Sequence, residues 1–223
     1  MLKTLDRGLH ALRTIGQHVD GLLTAELAKE LDVDRAIAYR IVSTLEQHRM
    51  VVRQPDGRLV LGSAALDLGN RFLPQFRRLA APVLERLTAL TDAAAFISIA
   101  EGRFCTAILV SEPHKALFTV SYRVGSSHPI DQGAAGIAIL AGRPATDDDA
   151  PEVREARTKG YALTTGALQK GAIGVASPIL PVRRTGAGLE ACVGVVAMED
   201  LDTERAIREV TAAAIEIARL VST

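Results

Sequence analysis

An α+β fold in two globular parts is what this sequence predicts, and three observations predict it. Residues 22–61 run as two short helical segments, a tight turn and a hairpin. Beyond residue 75, strand-like runs precede and alternate with helical ones, as in an antiparallel sheet covered by helices. A chain of 223 residues, 48% of them hydrophobic, can also fill two separate cores. The expected organisation is a first domain over 1–61, a linker helix over 62–74 and a second domain over 75–223.

The first helix is expected to start after Thr4 as N-cap and to end near Gly16, with Leu5, Leu9, Leu12 and Ile15 as its apolar stripe. Thr24 is read as the cap of the second helix, with Glu26 in its positive first turn and Leu27, Ala28 and Leu31 facing inward. Asp32-Val33 forms the turn and Asp34 caps the third helix. There Ile37, Ile41 and Leu45 recur every four residues and face the core, so Ala36, Tyr39 and Ser43, flanked by Arg35 and Arg40, lie on the opposite face. Met50–Arg53 and Arg58–Leu61 are strand-like and joined by Gln54-Pro55-Asp56-Gly57, a tight-turn signal. Three helices followed at once by a basic hairpin outline a winged helix-turn-helix, whose usual work is reading double-stranded DNA. In that reading arginines of the third helix pair with guanine edges, and Arg53 and Arg58 on the wing meet phosphate or the minor groove.

Charge is consistent with this only locally. The whole chain has a net charge of 0, whereas residues 35–58 hold five arginines against Glu46 and Asp56. A focused basic edge of that size gives modest affinity per copy and favours a dimer. No apolar run approaches the roughly 18 residues needed to cross a bilayer, and MLKTLDRGLH lacks the core of a signal peptide, so a soluble, cytoplasmic protein with no membrane partner is expected. Cys105 and Cys192 have no neighbouring Cys or His at ligand spacing, which leaves reduced, buried thiols and no metal site.

Beyond the wing, SAALDLGNRFL spreads small and apolar groups over much of a helix that is expected to pair with its twin, and Pro74 is expected to break it. A helix follows near Pro82–Leu90, then strands at 94–100, 104–110 and 116–122. The run Asp147-Asp148-Asp149 reads as a solvated loop capping the helix through Arg157. The last helix, Thr203–Val221, buries Ile207, Val210, Ala214, Ile217 and Val221. In HPIDQGAAGIA a short helix begins near Gly133, and its small first residues leave backbone N–H groups open to an anion; tight packing alone is the competing explanation.

Taken in order, LDRGLHALRTI, LAKELDVDRAIAYRIVSTLEQHRMVVR, LGSAALDLGNRF, AAPVLERLTALTDAAAFISIAEGRF, HPIDQGAAGIAILAG, KGYALTTGALQKGAIGVASPIL and ACVGVVAMED resemble the IclR family of bacterial transcriptional regulators over nearly the whole chain. The resemblance implies a dimer or tetramer on operator DNA and a GAF-like C-terminal domain that binds a small metabolite, with repression and activation both open. It puts DNA contacts on Arg35, Ala36, Tyr39 and Arg40, to which the helix face adds Ser43. It puts the effector pocket at Gly133, Ala134 and Ala135, at Ile173 and Gly174, and at Ala197 and Glu199. Two departures stand out. Ala36-Ile37 occupies the place of the family's common Ser-Thr pair, and Ala167, Ala197 and Glu199 replace polar pocket residues. An organic acid is the family's ligand class; Glu199 would favour a less acidic, amine-bearing or largely apolar ligand. A constitutive DNA binder whose second domain serves only assembly is the alternative. No catalytic residue and no cofactor are expected, since nothing brings Cys105, His114 and Asp131 together as nucleophile, base and orienter.

Overall fold

The computed structural model describes residues 2–113, 122–180, 189–198 and 200–222. They separate into two compact units, Met1–Pro74 and Gln75–Thr223.

In the first unit, α1 (Lys3–Gln17), β1 (Leu22–Leu23), α2 (Thr24–Glu30) and α3 (Arg35–Gln47) lead into the hairpin β2 (Val51–Arg53) and β3 (Arg58–Leu61). The sheet order is β1-β3-β2, both pairs antiparallel. Ala11, Ile15, Leu22, Leu27, Ile41, Val42, Val51 and Leu59 form one core drawn from all three helices and the sheet. Asp32 closes the α2–α3 turn at φ 50, a left-handed conformation that aspartate tolerates, and Val33 N–H donates to Ala28 O at 3.0 Å. Gly62 leaves the wing where a Cβ would stand 2.2 Å from Arg49 O, so no larger residue fits.

Two expected caps move. The N-cap of α1 is Leu2, not Thr4, and the N-cap of α2 is Leu23, not Thr24. At α2 the reason is visible: Leu23 N–H donates to Glu26 Oε2 at 2.9 Å, which frees the Thr24 hydroxyl to accept from Arg53 Nη1 at 3.1 Å.

Pro74 does not break the helix that follows. A single helix, α4 (Ser63–Thr91), runs through both Pro74 and Pro82. Each proline removes one backbone hydrogen bond, at a cost of about 3 kcal/mol. Both prolines are exposed, as is Asn70, so the carbonyl Pro74 leaves unpaired can be met by water. Phe76, Ala80, Val83, Leu84 and Leu87 bury a stripe at helical spacing that holds the second half of α4 in place.

The second unit contains β4 (Ala94–Glu101), β5 (Phe104–Ser111), β6 (Ser127–Pro129), α5 (Gly133–Gly142), α6 (Pro151–Lys159), β7 (Ala162–Thr165), β8 (Ile173–Pro178), β9 (Ala191–Ala197) and α7 (Thr203–Ser222). Its six-stranded sheet, ordered β6-β5-β4-β9-β8-β7, is antiparallel at every pair. One face carries Phe96, Cys105, Ala176 and Cys192 against the small residues of α5 and against α6. Strand alternation leaves Ile97, Val175, Val193 and Val195 for the other face. On α7, Val210, Ala214 and Ile217 are buried as expected, but Val221 is exposed near the helix end. The acidic run divides: Asp147 and Asp148 are exposed, while Asp149 accepts from Thr146 N–H at 3.0 Å and pairs with Arg157 at 2.7 Å, and the N-cap of α6 is Ala150. Of the strand expected at 116–122 only Tyr122 lies within the described residues, and His114 lies outside them.

Candidate functional site

Two surfaces carry chemistry, one in each unit. On α3, burial of Ala38, Ile41 and Val42 turns Arg35, Ala36, Tyr39, Arg40 and Ser43 outward, all exposed on a helix whose N-terminus is open to its surroundings. Tyr39 is 56% exposed, far more than a tyrosine engaged in a core. Arg35 also lines a shallow cleft with Arg7 and Lys29, where Asp32 and Asp34 offset part of the positive charge.

The wing arginines behave differently. Arg53 donates to Glu46 Oε1 at 3.1 Å and to Thr24 Oγ1 at 3.1 Å, so it braces the hairpin against α2 and α3. Arg58 donates to Gly21 O at 3.0 Å and pairs with Asp56 at 3.7 Å. Both guanidiniums are committed inside the unit, which the linear sequence could not show.

In the second unit a cavity of about 300 Å³ opens on the α5 face of the sheet. Phe96, Gly174 and Val196 form its floor, Tyr122, Ser126, Ser127 and His128 one wall, Gly133, Ala134 and Ala135 another, and Thr164, Ala167, Leu168, Gln169 and Ala172 its rim. Of the expected pocket residues, Gly133, Ala134, Ala135 and Gly174 line it. Ile173 and Ala197 do not, because they pair with each other one residue out of phase with Gly174 and Val196, which places them on the opposite face. Glu199 lies outside the described residues.

The wall residues were missed by sequence reasoning. Phe96 sits in an apolar run with no alternation to mark it, and His128 is brought beside Cys105 only by the pairing of β5 with β6. The Phe96 and Tyr122 rings meet at 4.8 Å between centroids and tilt by 57°. Tyr122 Oη shares a 3.1 Å hydrogen bond with Ser98 Oγ, and burial pushes its pKa up, so it stays a neutral phenol. Beneath His128, Cys192 S–H bonds to the Cys105 sulfur and, with the imidazole, draws that thiol down to about 6 against the opposing effect of burial. Burial raises Cys192 instead. The His128 pKa is raised: burial pulls it down, but hydrogen bonds to Cys105 and to Pro129 O more than offset this.

Among the described residues no three His, Cys, Asp or Glu side chains could hold a metal ion together, and no helix is long and apolar enough to cross a membrane. The surfaces offer groove contacts on α3 and a small, mostly apolar cavity beside an open helix start.

Residues 4–55 match the model of the IclR helix-turn-helix domain. No curated protein matches the sequence. Among solved structures, an IclR transcriptional regulator from Alicyclobacillus acidocaldarius is 20% identical with a TM-score of 0.58, covering 100% of both chains. An IclR-family protein from Rhodococcus sp. is 21% identical with a TM-score of 0.66, over 98% of this chain and 93% of that one. An IclR homolog from Microbacterium hydrocarbonoxydans, complexed with 4-hydroxybenzoate, is 20% identical with a TM-score of 0.57, over 98% of both. At these identities the structural likenesses show the fold, and the domain match shows what the first unit is. With an IclR helix-turn-helix domain at residues 4–55 and the fold of solved IclR proteins along its length, the chain belongs to the IclR family of DNA-binding transcriptional regulators, which are not enzymes.

Proposed function

We propose that the protein binds a pseudo-palindromic operator as a homodimer or tetramer in the cytoplasm, and that a small organic acid entering the C-terminal cavity changes its affinity for that operator. The observation that carries the reading is the roughly 300 Å³ cavity, built in a different unit from the DNA-binding domain. A ligand there controls DNA binding only through a difference in its affinity for two states of the protein. Support for the ligand class comes from the 4-hydroxybenzoate held by the similar Microbacterium hydrocarbonoxydans protein. On the DNA side, Arg35, Tyr39, Arg40 and Ser43 contact base edges and phosphates, and Ala36 contributes at most a methyl contact. Arg53 and Arg58 contribute by holding the wing in shape.

Genomic fragments captured on the purified chain identify the operator, and a mobility-shift titration with metabolites tests control. Selective DNA binding that responds to a small molecule is the expected result. Selective binding that no metabolite alters would leave a constitutive regulator and refute the ligand-controlled reading.

A further inference from the structure

The proposal that follows rests on reading the cavity as the ligand site and concerns how that site selects its occupant. The geometry points to His128 as the group that selects the ligand, a small flat molecule carrying one carboxylate seated between the imidazole Nε2 and the open start of α5. Two independent features meet there. Helix α5 opens at Gly133 with no side-chain cap from Gln132, leaving its positive end without a competing polar group. His128 is only 9% exposed and lines the cavity, yet its Nε2 has no hydrogen-bond partner among the described residues. A buried ring nitrogen without a partner is costly and signals a missing one. The two features adjoin: a Cβ placed on Gly133 would stand 3.6 Å from the His128 Cε1.

The protonation logic follows from Nδ1. It lies 2.9 Å from Pro129 O, which only accepts, so Nδ1 carries a proton in either form of the ring. The neutral imidazole therefore presents a lone pair at Nε2, which repels a carboxylate, and the cationic one presents an N–H, which binds it. The groups facing the ring are Cys105 from β5, backed by Cys192 from β9; α5 contributes no titratable side chain. No Lys, Arg, Asp or Glu lines the cavity among the described residues, so a second charge on the ligand would be buried without a counterion. The tilted Phe96 and Tyr122 rings suit a planar body.

The test is calorimetric titration of the intact chain with 4-hydroxybenzoate and with its neutral analogue 4-hydroxybenzamide, at about pH 6 and about pH 8. Carboxylate affinity should fall by up to about tenfold per pH unit above the imidazole pKa, while the amide shows no such slope. His128→Gln should flatten the carboxylate slope, and Cys105→Ala should move it to lower pH by removing the group that raises the imidazole pKa. Equal carboxylate affinity at both pH values, a slope that survives His128→Gln, or failure of both probes to bind overturns the proposal. The wild-type comparison needs no variant, so poor folding of a mutant leaves the test decisive. Operator release by some other metabolite would then still support ligand control. Conversely, pH-dependent benzoate binding without any effect on the operator would sustain this proposal and refute that control.

Discussion

Arg53→Ala separates two roles that the linear sequence could not tell apart. As a phosphate contact, Arg53 would add to operator affinity through counterion release, and its loss would flatten the slope of log affinity against log salt by about 0.9. As a brace, its loss would register in stability. The ion pair with Glu46 joins side chains 34% and 32% exposed and contributes about 0.5 kcal/mol after solvent screening. The bond to Thr24 matters more, because Thr24 is only 4% exposed and its hydroxyl would lose the partner that Arg53 supplies. That adds about 1–1.5 kcal/mol, and the 3.4 Å approach to Gly57 O adds little. The expected total is a loss of about 2 kcal/mol, read by urea melting, with the salt slope of operator binding unchanged. A flattened slope with wild-type stability would refute the bracing role.

Arg40→Ala is expected to cost about 1–3 kcal/mol of discrimination between operator and random DNA, measured by competition binding, and to leave stability within about 0.5 kcal/mol, since Arg40 is exposed. Gly174→Ala should be accepted, because its Cβ would make ordinary contact with Ala134 at 3.4 Å, whereas Gly174→Leu should fill the cavity floor; calorimetry with 4-hydroxybenzoate should show binding kept in the first and lost in the second, with operator affinity unaltered in ligand-free protein. Gly136→Ala should destabilise the second unit by about 3 kcal/mol or more, since a Cβ there would lie 2.1 Å from Ile130 O; thermal melting reports it. Asp149 has its pKa lowered by the Thr146 N–H and then by Arg157, so its stabilisation is present above the ordinary aspartate value of about 3.9 and is lost as pH falls through the lower folded value; Asp149→Asn should remove that part of the acid dependence in melts across this range.

The first unit was largely legible because its signals are local. The turn at Asp32, the Asp56-Gly57 hairpin and the four-residue apolar spacing on α3 each act within a few residues. What escaped there was contact across the fold. Leu22-Leu23 is too short to read as a strand and becomes one only by pairing with β3, and Arg53 reads as a free cation until Thr24 and Glu46 come alongside. Pro74 misled for a related reason: its local penalty is real, but the buried stripe of α4 from Phe76 to Leu87 outweighs it.

The cavity was legible on one side only, and strand phase explains why. Gly133 to Ala135 open a helix, so their proximity to one another is local, and they were identified. Along β8 and β9 the question was which alternate residues face α5, and both strands are buried on both faces, so hydrophobicity carries no phase. Ile173 with Ala197 and Gly174 with Val196 are equally plausible pairs in the sequence; only the register puts Gly174 and Val196 on the cavity side. His128 is the sharpest case. On β6 it is an isolated histidine between a serine and a proline, and it gains a chemical role only because β5 sets Cys105 opposite it and α5 starts five residues later. A site assembled from small residues, one imidazole and a helix end leaves little trace in composition. Its selectivity lies in which polar atoms the fold leaves unpaired, and Nε2 of His128 is one of them.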